Sequence, residues 1–120
     1  MKPIAEWKTE YPQAVVLFRG QKGTGAFGPD AELLIKLQPG CKRGEKDGQI
    51  YAYATAEDML LTTLDNYMVD AVVVHNGAVT YAKNHRHNYY KRLSELNGDY
   101  LERLKRIILR EPRESIWNIG

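Results

Sequence analysis

From residue 14 to residue 37 the chain reads AVVLFRGQKGTGAFGPDAELLIKL, an apolar run, a glycine-rich stretch and a helix opening in direct succession. Residues 14–18 are uncharged and rich in β-branched side chains, which suits a central strand covered on both faces. Arg19 and Gly20 close that strand. Glycine then stands at positions 20, 23, 25 and 28, a density that admits positive φ and close approach of the backbone to a ligand. Gly28-Pro29-Asp30 opens a helix: Pro suits the first helical position, and Asp30 and Glu32 favour the positive end of its dipole. Ala31, Leu34, Ile35 and Leu37 give that helix an apolar face. Such a succession demands an α/β layering. The stretch from Gly20 to Gly28 has three competing readings: a phosphate cradle, a nucleic-acid contact, or a long turn.

The remaining pattern fits the same class. Residues 3–11 form a short amphipathic helix with Ile4, Trp7 and Tyr11 on one side, ended by Pro12. Residues 38–49 read as a polar connector holding Pro39, Gly40, Gly44, Gly48 and the mixed-charge run 42–47. A second strand follows at 50–54. Thr55 reads as the N-cap of a helix through Met59, Leu60, Leu64 and Met68 that ends near Val69 or Asp70. Residues 71–74 make another buried strand, and His75-Asn76-Gly77-Ala78 is a strong hairpin signal, because Asn and Gly tolerate the positive φ of a type I′ turn. Residues 79–82 then pair back antiparallel. Tyr89, Tyr90, Leu93 and Leu96 fall at helical spacing before Asn97-Gly98. Asp99 caps a last helix with Leu101, Leu104 and Ile108 inward, and Ile116, Trp117 and Ile119 pack the tail. The expectation is an α/β fold: one domain, 1–120, with a mixed sheet that includes an antiparallel hairpin and is flanked by helices, and with 85–120 as a helical C-terminal extension.

Composition narrows the functional classes. A chain of 120 residues buries roughly 65–70% of its unfolded surface, enough for one modest core. Its net charge of +2 and pI near 8.6 fall short of the basic excess of dedicated nucleic-acid binders, so charge placement must decide. Cys41 is the single cysteine, which excludes an intrachain disulfide. No apolar run approaches the ~20 residues of a membrane span, and residues 1–13 lack the apolar core of a signal peptide. The expected location is cytoplasmic, without a membrane partner.

No catalytic constellation stands out, so an enzyme is not expected. Gly23-Thr24-Gly25-Ala26-Phe27-Gly28 has the letters of GxGxxG, but Arg19 to Lys22 intervene between strand and first glycine, and Asp47, at the spacing of a ribose-binding acid, sits in a charged run. A Walker loop would need Gly-Lys-Ser/Thr entering the helix, which begins Gly28-Pro29-Asp30. His75, His85 and His87 have no partners at metal-ligand spacing. No cofactor and no metal is expected. The segment 83–92, KNHRHNYYKR, interleaves bases with aromatics as nucleic-acid surfaces do, although Tyr89 and Tyr90 also fit a core stripe.

Tyr11-Pro12, Val15-Val16-Leu17-Phe18-Arg19 and Phe27-Gly28-Pro29-Asp30-Ala31 together resemble the N-terminal mismatch-recognition domain of the MutS family. That domain begins with a helix, a Tyr-Pro dipeptide, an apolar strand ending in Phe or Tyr-Arg, a Gly-Asp-Phe-Tyr-Glu motif, and a helix entered through Phe-Gly/Tyr-x-Asp-Ala. The likeness covers about two thirds of the chain. In this register the family's wedge Phe corresponds to Gly23, its Glu to Gly25, and Lys22 replaces an Asp, so the resemblance implies the scaffold without the base-stacking probe. It implies a non-enzymatic module that binds DNA, as duplex or structured nucleic acid, through backbone charge. The candidate contacts are Arg19, Lys22, Gly23, Thr24 and Gly25, with Arg86, Lys91 and Arg92 as helpers. A protein–protein adaptor or inhibitor on the same scaffold is the alternative.

Overall fold

The computed structural model describes residues 2–95. In chain order its elements are α1 (Ile4–Glu10), β1 (Val15–Arg19), β2 (Thr24–Phe27), α2 (Pro29–Leu37), β3 (Lys42–Lys46), β4 (Gln49–Ala54), α3 (Glu57–Asn66), β5 (Ala71–His75), β6 (Ala78–Lys83) and α4 (Tyr90–Glu95). The strands form one mixed six-stranded sheet in the order β3-β4-β2-β1-β5-β6. β1 and β5, the two uncharged apolar runs, lie parallel at its centre, Val15 opposite Ala71 and Phe18 opposite Val74. The other pairings are antiparallel. The fold is therefore the expected mixed α/β sheet flanked by helices. The Asn76-Gly77 hairpin is present, with φ of 50° and 76° at its two turn residues.

Three expectations change. The glycine-rich stretch is not a loop as far as Gly28. Gly20 donates its N–H to the Gly23 carbonyl at 2.9 Å in a tight turn, and residues 24–27 are strand β2, paired on both sides. The polar connector 38–49 is largely a hairpin, turned at Asp47 (φ 53°) and Gly48 (φ 77°). Helix α3 starts at Glu57, two residues after Thr55. Ala56 occupies its N-cap with no side-chain cap bond, and the helix ends at Asn66, short of Val69. Beyond it, Met68 takes a left-handed φ of 56° and the Val69 N–H reaches back to the Leu64 carbonyl at 3.0 Å. The expected Asn97-Gly98 stop, the last helix and the C-terminal tail lie outside the described residues.

Helices cover the two faces of the sheet unequally. On one face α2, α3 and α4 pack Leu33, Leu34, Leu37, Leu60, Leu64 and Leu93 against Val15, Leu17, Ala26, Ala52 and Val73. Each such leucine, fully buried, contributes about 1.5–3 kcal/mol. On the other face a smaller cluster of Trp7, Val16, Val72 and Val74 lies beneath α1, with Tyr11 and Phe18 at its margin. This second cluster spans β1 and β5. Among the described residues no helix covers the same face over β2, β4 and β3. Among the described residues no helix is long and apolar enough to cross a membrane.

Candidate functional site

Side chains on the open half follow from register, because residues directly opposite each other in paired strands share a face. Phe18 is opposite Gly25, Gly25 opposite Tyr53, and Tyr53 opposite Lys42. One step along, Phe27 is opposite Tyr51 and Tyr51 opposite Gly44, while Gln49 is opposite Lys46. The result is a platform of four half-buried rings, Phe18, Phe27, Tyr51 and Tyr53, bordered on the outer strand by the exposed Lys42 and Lys46. Tyr51 and Tyr53 stack with ring centres 6.3 Å apart, and Phe18 meets Phe27 edge to face at 5.9 Å. Lys22, exposed in the β1–β2 turn, joins this border where a groove of about 380 Å³ runs over Gly25 between Phe18 and Tyr53.

Glycine makes this platform possible at β2. A Cβ on Gly25 would stand 2.2 Å from the Ala52 carbonyl oxygen, and one on Gly23 2.4 Å from that of Ala54. Both obstacles are backbone, so no side chain fits while β2 pairs with β4. The same pairing takes up the backbone of Thr24 and Gly25, and the Gly23 carbonyl accepts the Gly20 N–H. Thr24 and Gly25 thus stand in a strand ladder and not in the unpaired loop that a backbone anion cradle uses.

The predicted contacts separate into three groups. Arg19 and Thr24 are opposite one another in register, on the helical face. Both are committed to Glu57 at the start of α3: Arg19 donates from Nε and from a terminal nitrogen to the two carboxylate oxygens, each at 2.8 Å, and Thr24 donates its hydroxyl at 2.6 Å. The guanidinium beside Glu57 holds that carboxyl below its ordinary range, and the Thr24 bond adds to the effect. Lys22 is exposed in the β1–β2 turn, at the platform's border. Arg86 and Lys91 lie past the end of β6, at the edge where Lys83 pairs with Ala71 beside the start of β1. Lys22 follows the other end of β1, and five residues at ~3.3 Å put about 16 Å between the two edges. Arg92 falls on α4. The structure thus brings Lys22 to the platform and keeps Arg86 and Lys91 away from it. Part of the basic segment is also internally engaged: Lys83 and His85 approach Asp65 at 3.5 and 3.2 Å, and the His85 N–H donates to Asp70 at 2.6 Å.

Asp30 does more than favour a helix dipole. It is 4% exposed, and its Oδ2 accepts the Val16 N–H at 3.0 Å. β2 pairs with β1 only at Phe18 and Arg19, because the chain leaves the sheet at Gly28 (φ 63°) to enter α2. The carboxylate takes the place of the missing strand. Its Oδ1 accepts from Lys8 of α1 at 2.8 Å and from the Tyr90 hydroxyl of α4. Burial and the neighbouring carboxylate push the Tyr90 phenol well above its usual range.

The aromatic platform was not foreseen from the sequence, though its signal was present: the alternation Tyr51-Ala52-Tyr53-Ala54 describes a strand with one aromatic and one small face, and Lys42-x-Gly44-x-Lys46 has the same period of two. No protein-family model matches the chain, and no curated protein does.

Proposed function

We propose that this chain is a non-enzymatic module that binds single-stranded nucleic acid on the open half of its sheet. The observation that carries the reading is the ring platform of Phe18, Phe27, Tyr51 and Tyr53 edged by Lys22, Lys42 and Lys46. Exposed rings on a sheet offer every base a stacking partner, and surrounding ammonium groups answer the backbone phosphates. A duplex hides its base faces and has no use for such a surface. The site proposed from sequence therefore moves from the glycine stretch to the sheet face, with Lys22 common to both.

The scaffold is proposed to be of the MutS N-terminal type. In support, α1, Tyr11-Pro12, β1 and the Phe27–Ala31 entry into α2 follow in the order of that family's motifs. The wedge position is closed in this chain, because a Cβ at Gly23 would meet the Ala54 carbonyl. Aromatic contact is supplied by β1, β2 and β4 instead.

Fluorescence anisotropy with labelled 12-mers of single-stranded DNA, single-stranded RNA and a blunt duplex tests this. Single strands should bind more tightly than duplex, with affinity falling as salt rises. Tyr53→Ala should weaken binding by about 5- to 150-fold, the equivalent of ~1–3 kcal/mol for one stacked base. Preference for duplex, or an unchanged affinity in Tyr53→Ala, would overturn the proposal.

A further inference from the structure

A second cleft, about 470 Å³ in volume, lies between α1 and the sheet, lined by Ile4, Ala5, Lys8, Phe18, Phe27 and Asp30 among others, with Gln49 at its exposed side. Phe18 and Phe27 line both this cleft and the groove over Gly25, so the two are neighbours across the same pair of rings. Its size lies in the range of small-ligand pockets, and its make-up follows their rule of apolar walls with a few converging polar groups.

Those polar groups have unused capacity of opposite kinds. Asp30 Oδ2 accepts one bond, from the Val16 N–H, and a carboxylate oxygen has room for a second. The Lys8 ammonium donates to Asp30 Oδ1 and to the Ala14 carbonyl, at 2.8 and 2.6 Å, and lies 4.2 Å from the centre of the Tyr90 ring, while its side chain stays 32% exposed and within reach of a further acceptor. An acceptor and a donor thus stand side by side at one end of an aromatic-walled cleft.

We propose that this cleft takes one guanine-type base from the strand lying across the platform, an inference that rests on the single-strand reading above. Guanine sets N–H donors beside the O6 acceptor on one edge, which complements a carboxylate with spare acceptor capacity next to an ammonium. Adenine places an acceptor where guanine carries its ring N–H and would turn it toward the carboxylate. Phe18 and Phe27 offer the ring its apolar surfaces.

The test uses the full chain and labelled oligomers: dT12, and dT12 with one central dG, dA or dC, together with the matching RNA series. The dG and G oligomers should bind about fivefold or more tightly than their A and C counterparts, at the lower end of what one well-formed side-chain to base contact discriminates. Ala5→Trp, an exposed position on α1 whose indole fills the cleft, should abolish that preference, so that the dG, dA and dC oligomers bind it alike. Equal affinity across the central bases, or a guanine preference that survives Ala5→Trp, overturns the base pocket and leaves single-strand binding standing. Failure of every oligomer to bind removes both.

Discussion

Asp30→Ala is expected to destabilise the protein by about 2–5 kcal/mol. The substitution strands the Val16 N–H in a buried position, worth about 1–3 kcal/mol. It also removes the acceptor of the Tyr90 hydroxyl, another ~1–2 kcal/mol for a charge-assisted bond whose donor can turn toward a different partner. Lys8 adds little, since its side chain is 32% exposed and its ammonium regains water. Breaking this pair is therefore milder than breaking a fully buried one. The order expected is Asp30→Ala above Tyr90→Phe, with Lys8→Met last at under ~1 kcal/mol. Urea unfolding followed by tryptophan fluorescence, to which Trp7 packed on Val16, Val72 and Val74 contributes, measures all three. The denaturant slope should stay constant if only the native state is weakened. A loss below ~1 kcal/mol for Asp30→Ala, or a larger loss for Lys8→Met than for Tyr90→Phe, would refute the idea that this carboxylate replaces a strand and joins α1 to α4.

Two further expectations concern β2 and the helical face. Gly25→Ala should cost at least about 2 kcal/mol, because the new methyl meets backbone and not a movable side chain; a thermal midpoint equal to the parent's would contradict the close approach of β2 and β4. Glu57 titrates lower in the folded chain than its ordinary value of 4.5, so the stability it supplies is present above pH 4.5 and is lost as pH falls through the lower folded value. Melting curves between pH 3 and 7 should show Glu57→Gln less stable than the parent near neutrality and the difference shrinking in acid; a difference constant with pH would argue against the Arg19–Glu57 contact.

Apolar runs and turn chemistry made the centre of this fold legible in the sequence. Residues 14–18 and 71–74 announced two buried strands, and Asn76-Gly77 announced a hairpin; that the two strands lie parallel is seen only in the structure. Asp47-Gly48 carries the same turn chemistry, but its neighbours, Lys42 to Lys46 on one side and Gln49 on the other, carry no apolar alternation, so β3 read as a solvated loop. An edge strand has only one neighbour and needs no apolar face, which is why such strands escape a hydrophobic pattern. β2 was missed for a different reason. Gly23 just before Thr24-Gly25-Ala26-Phe27 and Gly25 within it weaken strand propensity, and their purpose, room for the β4 backbone, is a tertiary fact. The candidate site was obscured in the same way: Tyr51, Tyr53 and Phe18 come from strands far apart in sequence, and the half-sheet that α1 leaves bare depends on where α1 docks.

The lysines of β3 also guard the sheet against other copies of itself. Lys42 and Lys46 flank a row of backbone groups that has no neighbouring strand among the described residues, and charge on such a row discourages edge-to-edge joining. The same two ammonium groups are those that phosphates on the platform would neutralise. Solubility of the free protein and affinity for a polyanion thus draw on one pair of side chains, and Lys→Gln exchanges made to weaken the second will also lower the first.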